Sequence, residues 1–346
     1  MSSGLIDLRS DTATLPTPAM RRAMVEAELG DDMFGEDPTV NRLEERVAGL
    51  LGMEAAMFVP SGSMSNQLAL RLQLRPGDEI LCEQHSHLVL YETGGPAAHS
   101  GAMCQTIPGR NGVLDVEDFR GRLRPEGIHT PRTRLVALEN THNRANGAVL
   151  PLANIERIGN WAKEHKLARH LDGARLWNAH VKTGVPLAEY AKHFDTVSLC
   201  FSKGLGAPVG SILVGPRDLL KFDGRRLRKL FGGAMRQAGV LAAAALHALD
   251  HHLERLADDH ANAQTLAVAL EATGKFELQA AEIQTNILWI PCRPSAGDPA
   301  ALTAKFRERG ILIGNYGENM IRMCTHLGFS NADADRAVAA IRKIAG

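Results

Sequence analysis

Apolar residues in this 346-residue chain fall into two kinds of pattern. Short, nearly unbroken runs occupy 55–59, 80–82, 103–107, 135–138, 168–171, 196–201 and 211–214, and their length and residue types predict strands. Between them, apolar positions recur at helical spacing over 39–52, through the stretch ending at Leu74, after 87 up to Gly94-Gly95, and over 115–123 and 152–166. Strands alternating with helices predict a largely parallel sheet covered on both faces, an α/β arrangement.

The pattern changes past residue 238. Residues 238–272 read as one long alanine-rich helix. Strands at 277–281, 286–290, 311–314 and 319–324, with helices at 299–309 and 331–344, predict a smaller α+β domain. The expected division is a large domain, 1–245, and a small one, 246–346, with 246–272 continuing the connecting helix. The first forty residues fit neither pattern. Leu8-Arg-Ser-Asp-Thr12, prolines at 16 and 18, and Gly30-Asp-Asp-Met-Phe-Gly-Glu-Asp-Pro38 are poor core material and predict an extended arm that packs elsewhere, on a neighbouring subunit.

Composition removes several function classes. Basic and acidic residues both number 39, so bulk electrostatics give nucleic-acid binding no support. No apolar stretch approaches the ~20 residues a membrane helix needs, and the Met-Ser-Ser-Gly start does not read as a signal peptide. Five cysteines, at 82, 104, 200, 292 and 324, are scattered without Cys-x-x-Cys spacing. That argues against a disulfide framework or a metal site and for a reducing cytoplasm. His251-His252 lies in a polar stretch of the long helical pattern, which predicts a solvated face.

Candidate chemistry collects where the strands end, the edge at which open α/β sheets bind ligands. There the sequence places Ser61-Gly62-Ser63, His85 and His87, His142, Asp172 with Arg175, and Ser202-Lys203. Ser61-Gly62-Ser63 opens a helix after a strand, so its amides suit a phosphate, although the same triplet serves as an ordinary helix cap. Asp172 follows an apolar strand end and needs a cationic partner there, for which Arg175 is a candidate. Lys203 ends a buried run, where burial disfavours the ammonium form, and a neutral amine attacks a carbonyl to form a Schiff base. A lysine, an anion cradle, a buried carboxylate and an imidazole together match the needs of pyridoxal 5'-phosphate. The glycines at 204, 206 and 210 then leave room for its ring. A dinucleotide reading of Gly204-Leu-Gly206 fails, because Pro208 and the strand at 211–214 stand where a pyrophosphate-binding helix should open.

Seven segments, in order along the chain, also resemble one family: LRSDT at 8–12, GDDMFGEDPTVNRLE at 30–44, PSGSMSNQLAL at 60–70, ENTHN at 139–143, HLDGARLWNA at 170–179, SKGLGAPVGS at 202–211 and GGAMRQAG at 232–239. They resemble the low-specificity L-threonine aldolases, pyridoxal-phosphate enzymes of the type I, aspartate-aminotransferase fold that are usually homotetramers with active sites at subunit interfaces. The resemblance implies Lys203 as the cofactor-binding lysine and Asp172 as partner of the pyridine nitrogen. It implies Ser61, Gly62 and Ser63 as the phosphate cradle with Ser202 beside it, Arg236 as a phosphate contact across the interface, and His87 stacked on the ring. Ser10, Arg175 and Arg322 match the group that holds the substrate carboxylate, and His142 the contact to the β-hydroxyl. No metal is implied.

The implied reaction takes L-threonine, L-allo-threonine or a related β-hydroxy-α-amino acid such as phenylserine, bound as a Schiff base. Loss of the hydroxyl proton breaks Cα–Cβ, giving an aldehyde and a glycine carbanion stabilised by the ring. The proton acceptor stays open between His142, His87 and a water they hold. β-Elimination, racemisation and transamination are the competing reactions on the same scaffold. Three departures from the family pattern stand out: Phe34 where many relatives carry tyrosine, Ala234 at a usual glycine, and Arg144-Ala-Asn146, which lengthens the loop after His142 where the aldehyde end is expected.

Overall fold

The computed structural model describes residues 4–345; Met1, Ser2 and Ser3 of the start lie outside the described residues. Its strands are β1 (Ile6–Asp7), β2 (Ala55–Val59), β3 (Asp78–Glu83), β4 (Met103–Ile107), β5 (Arg132–Glu139), β6 (Ala168–Gly173), β7 (Thr196–Cys200), β8 (Ser211–Gly215), β9 (Ile287–Pro291), β10 (Ile311–Leu312), β11 (Gly314–Asn315) and β12 (Met320–Cys324). Seven form one sheet in the order β2-β8-β7-β6-β5-β3-β4. β8 is antiparallel to β2 and β7, and the remaining pairs are parallel. β3, β7 and β8 are buried along their whole length, which explains their unbroken apolar runs. The carboxyl ends of β2, β3, β5, β6 and β7 therefore open on one edge, where the functional segments begin.

Two apolar clusters hold the chain together. One surrounds the large sheet and contains Val40, Phe58, Leu81, Leu171, Trp177 and Val197. The other lies under the antiparallel sheet β11-β12-β9 and contains Leu266, Ile290, Phe306, Met323 and Ile341. It also takes in Ile6 and Leu8, because β1 pairs in parallel with β10.

Much of the segment from residue 4 to 40 packs on its own chain. Met20, on the helix Pro18–Val25, is fully buried in the large cluster. The polar residues that look unsuited to a core are buried with partners. Asp32 accepts from Arg228 at 2.6 Å. Asp37 accepts the amides of Thr39 and Val40, capping the helix Pro38–Leu51, and the amide of Gly239 as well. Solvation that the sequence seems to demand is supplied by the protein.

The long helix expected over 238–272 is two helices, Gly239–His251 and Leu256–Glu271. No glycine or proline marks the break; tertiary contacts make it. His252 turns inward, is buried, and donates from Nδ1 to the carbonyl of Leu205 at 2.8 Å, contrary to the solvated face expected of it. Leu256 is fully buried, and a Cβ on Gly204 would fall 2.8 Å from its Cδ2. Both contacts fall on the loop that follows Lys203.

Smaller differences share one cause, local pattern yielding to packing. The helix expected over 115–123 is a single 3₁₀ turn, Val116–Phe119. The strand expected over 277–281 is absent; Phe276 makes an isolated bridge to Cys292, and a 3₁₀ turn, Ala280–Glu282, follows. The helix expected up to Gly94-Gly95 is a short one, His87–Leu90, while Gly94 begins the next, Gly95–Ser100. The strand at 311–314 is interrupted, forming β10 and β11. Among the described residues no helix is long and apolar enough to cross a membrane.

Candidate active site

The turn after β7 presents Ser202 and Lys203. It is closely packed: Gly206 has φ +80° and faces Leu327, and Gly210 has φ +123° and faces the Phe58 ring, each at a distance that admits no side chain. These glycines shape the loop and do not leave space for a ring, which corrects the expectation. Thr14 Oγ1 donates to the Lys203 carbonyl at 3.0 Å. Lys203 is half-buried and faces a cavity of about 170 Å³ with Ser10, Thr12, His87, Tyr91, Asn143, Arg175, Trp289, Tyr316 and Arg322. Larger surface cavities, beside Glu44 and Arg217 and beside Gln264 and Val268, lie away from this chemistry.

Behind the lysine, at the end of β6, Asp172 is buried in a chain of hydrogen bonds. Its Oδ2 accepts from Asn66 Nδ2 at 2.8 Å and its Oδ1 from the amide of Ala174 at 3.1 Å. Burial opposes its charge, but His87 and Lys203 outweigh that and hold the carboxyl below its ordinary range. Asn66 Nδ2 also donates to Glu92 at 2.7 Å, while its Oδ1 accepts from His170 Nε2 at 3.1 Å. His170 is fully buried, and burial pushes its pKa down to about 4, so it is neutral. Its Nδ1 then accepts from Thr196 Oγ1 at 2.9 Å, which fixes the tautomer and the Asn66 amide.

Glu92 accepts from His87 Nδ1 at 2.8 Å and from Gln67 Nε2 at 2.5 Å. The His87 amide donates to Glu139 Oε2 at 2.6 Å. Burial disfavours the imidazolium, yet the bond to Glu92 and the charge of Asp172 prevail and raise the pKa of His87. Ligand atoms of His87, Glu92 and Asp172 lie within 4.8 Å of one another. His85 stands apart from these groups: its side chain is about half exposed, beside Glu83, and outside the cavity.

The opposite wall is cationic. Arg175 does not pair with Asp172; its Nε and Nη2 donate to the two oxygens of buried Asp11, both at 2.7 Å. Burial opposes the Asp11 charge, but Arg175 holds that carboxyl well below the usual range. Arg322 is also buried, and among the described residues no carboxylate pairs with it. Its Nη1 donates to the Arg9 carbonyl at 3.2 Å, its Nη2 to Asn143 Oδ1 at 3.1 Å, and its buried Nε has no partner. A buried guanidinium with a free N–H beside an open cavity is suited to a ligand carboxylate. Ser10 Oγ accepts from the amide and hydroxyl of Thr12, placing it at the same wall.

Besides Asp172 and Ser202, three more of the expected groups do not line this cavity. His142 is buried behind Asn143, with Nε2 at 3.0 Å from Glu83 Oε2 and Nδ1 without a partner. Burial opposes its charge, but Glu139 and Glu83 raise its pKa. Ser61, Gly62 and Ser63 begin the helix Gly62–Gln73, with Ser61 Oγ accepting from the amide of Met64 at 3.2 Å. Arg236 is 60% exposed and lies 3.6 Å from Asp31.

Sequence reasoning missed Asp11, Asn66, Glu92, Tyr91, Trp289 and Tyr316. Asp11 and Asn66 sit inside segments that carry the resemblance, so motif membership was the available signal, whereas Tyr91 and Glu92 lie outside those segments, shortly after His87. Trp289 and Tyr316 come from β9 and from the residue after β11, and nothing local marks them.

The residues fit pyridoxal 5'-phosphate. The first amides of the helix Gly62–Gln73 have no intrahelical acceptor, and a Cβ on Gly62 would come 2.7 Å from Cys200 Sγ, so glycine lets that helix start close against the strand. Asp172 supplies an ionised, buried carboxylate, and Lys203 a primary amine free of hydrogen bonds among the described residues.

The model of the beta-eliminating lyase family matches residues 7–292. A probable low-specificity L-threonine aldolase 2 from Arabidopsis thaliana is 40% identical, covering 98% of this chain and 97% of its own. The low specificity L-threonine aldolase of Escherichia coli K12 is 41% identical over 94% and 95%. The fold is that of a threonine aldolase from Leishmania major, with a TM-score of 0.85, 24% identity and coverage of 99% and 100%. Matched over nearly all its length, with a lysine, a carboxylate and a cationic wall at the edge of its sheet, this chain belongs to the beta-eliminating lyase family and, within it, to the low-specificity L-threonine aldolases.

Proposed function

We propose that the protein is a pyridoxal-phosphate-dependent aldehyde-lyase that cleaves L-threonine, L-allo-threonine and related β-hydroxy-α-amino acids to glycine and an aldehyde. One observation carries this reading: Lys203 faces the same cavity as Arg322, a buried guanidinium with an unmatched N–H, with Asp172 directly behind. The cofactor these residues would hold would supply an electron sink for the substrate's Cα.

The chain does the rest. Lys203 Nζ, a primary amine facing the cavity, would hold the cofactor and give way to the substrate's amine. Asp172, kept ionised, would pair with the cofactor's ring nitrogen, and Asn66 and His170 keep its carboxylate aimed. Ser61, Gly62, Ser63 and Ser202 are suited to the phosphate. Arg322 and Arg175, with Ser10, orient the substrate by its carboxylate, and Asp11 keeps the Arg175 fork in plane. His87 lines the cavity with Nδ1 tied to Glu92, so Nε2 is the atom placed to take the hydroxyl proton. His142 is buried outside the cavity, its Nδ1 without a partner.

The rest of the reading concerns assembly and place. Leu15, Val25, Phe34, Phe222 and Leu230 are exposed apolar side chains, and Arg236 is exposed and outside its own cavity. These support a homotetramer in which Arg236 reaches a neighbour's phosphate site, and five unpaired cysteines support a reducing cytoplasm. The two largest apolar clusters support a division into a large part and a small one near the expected 1–245 and 246–346, although Ala248, Leu249 and Leu256 pack in the first cluster and Ile6 and Leu8 in the second. Trp289, Tyr316 and Arg322 come to the mouth of the site from the small part.

The test is product identity. Purified protein given pyridoxal phosphate and L-threonine should release acetaldehyde and glycine in equal amounts, with D-threonine as the inert control. Ammonia with 2-oxobutyrate instead would mean β-elimination and overturn the aldolase reading.

A further inference from the structure

The loop that follows His142 is built into the mouth of the site. The amide of His142 bonds to the Ala148 carbonyl at 2.9 Å, and the amide of Gly147 to the His142 carbonyl at 3.0 Å, closing the loop on itself. Asn146 adopts φ +56°, and its Oδ1 accepts the amide of Trp289 at 2.5 Å. Trp289 Nε1 in turn donates to the Asn143 carbonyl at 2.6 Å. Between these two ties, Arg144 lies with its guanidinium carbon 4.2 Å from the centroid of the Trp289 ring.

Arg322 approaches the same ring, at 5.2 Å. Two guanidiniums thus share one indole that lines the cavity, and among the described residues neither has a carboxylate within ion-pair reach. Like charges held close disfavour each other until an anion lies between them. Arg322 faces the substrate's own carboxylate, which leaves Arg144 to meet what the β-carbon carries. The two guanidiniums are no farther apart than their two distances to the ring laid end to end, a span that carboxylates on adjacent carbons bridge.

We propose that Arg144, stacked on Trp289, adapts the site to β-hydroxy-α-amino dicarboxylic acids, of which 3-hydroxyaspartate is the smallest. This rests on the aldolase reading. The Cα–Cβ bond breaks and its electron pair stays on Cα, which takes a proton to become glycine. The hydroxyl loses its proton to the enzyme and its oxygen becomes the carbonyl of glyoxylate, so no oxidant or reductant enters.

L-aspartate and L-asparagine lack the hydroxyl and differ mainly in the charge at the distal group, which makes them clean probes. In the holoenzyme, L-aspartate should inhibit threonine cleavage roughly tenfold more tightly than L-asparagine, the scale of one charge-assisted hydrogen bond. Arg144→Gln should bring that ratio close to one, and Arg144→Lys should leave an intermediate value. The ratio is taken within each variant, so a general loss of activity divides out. L-threo-3-hydroxyaspartate should yield glyoxylate. Equal inhibition by the two probes in the unaltered enzyme, or a preference that survives Arg144→Gln, overturns the inference while leaving the aldolase reading intact. If threonine is not cleaved, the same probes can be titrated by tryptophan fluorescence; an aspartate preference lost in Arg144→Gln then upholds the site while the aldolase reading fails.

Discussion

The floor and the mouth of the cavity are built on opposite terms. At the floor, His170, Asn66, Asp172, Glu92 and His87 form one chain of hydrogen bonds in which each donor has an acceptor from the protein itself. At the mouth, Arg322 keeps a buried N–H with no partner, and Arg144 has a ring beneath it but no counter-ion among the described residues. A finished network fixes geometry before any ligand arrives. An unfinished one waits for a ligand to complete it, and stability is given up there for binding. The floor thus suits a resident cofactor, and the mouth a substrate that comes and goes.

The heaviest blow to this contrast falls between its two halves. Lys203→Ala should lower turnover by at least about a thousandfold, and borohydride should no longer attach the cofactor to the chain; attachment that persists would place the imine on another lysine. Asp11→Asn strips Arg175 of its buried partner and should cost about 3–5 kcal/mol in denaturant unfolding. If that loss is under about 1 kcal/mol, the cationic wall is not held by the pair. Arg322→Gln should do the reverse, raising KM for threonine some tens of fold while shifting stability by less than about 1 kcal/mol. Comparable losses of stability from Asp11→Asn and Arg322→Gln would erase the distinction drawn above.

Two smaller effects depend on pH. His170 has a folded-state pKa of about 4 against an ordinary 6.5, so between those values the unfolded chain binds the proton and the folded chain does not. Its contribution to stability is therefore present above 6.5 and lost as pH falls, reaching about 2 kcal/mol at pH 5. His170→Gln should lessen the fall in stability between pH 7 and 5 by that amount, and an unchanged profile would mean the imidazole is not neutral when buried. His87 is shifted the other way, so the acid limb of kcat/KM should lie above pH 6.5. Glu92→Gln should move that limb down by under about one unit. If Glu83→Gln moves it instead, the proton acceptor is His142.

Asp172 and His87 of the floor, with Lys203 above them, were legible in the sequence because they sit at strand ends and helix starts, where apolar runs and turn residues announce themselves. Asn66, Glu92 and His170, which complete the network, were not. Asp172 ends β6, His87 follows β3 and Lys203 follows β7, so locating the strands located the residues. The mouth was not legible. Trp289, Tyr316 and Arg144 meet only through long-range packing, and no local pattern links residue 144 to residue 289. The break after His251 escaped for the same reason, being made by contacts to Leu205 and Gly204 and not by its own residues. Polar content misled at the N-terminus, where Asp32 and Asp37 are solvated by protein instead of water.

The pairing of β1 with β10 bears on how the enzyme comes into being during translation. Ile6 and Asp7 leave the ribosome long before their partners Ile311 and Leu312. Until then the segment carrying Ser10 and Asp11 has no sheet to anchor it, and the Arg175 guanidinium lacks its fixed partner. A nascent chain therefore carries the lysine and its buried carboxylate long before it can grip a substrate. The large sheet is free to form early, and catalysis has to await closure of the ends, a slow, long-range step.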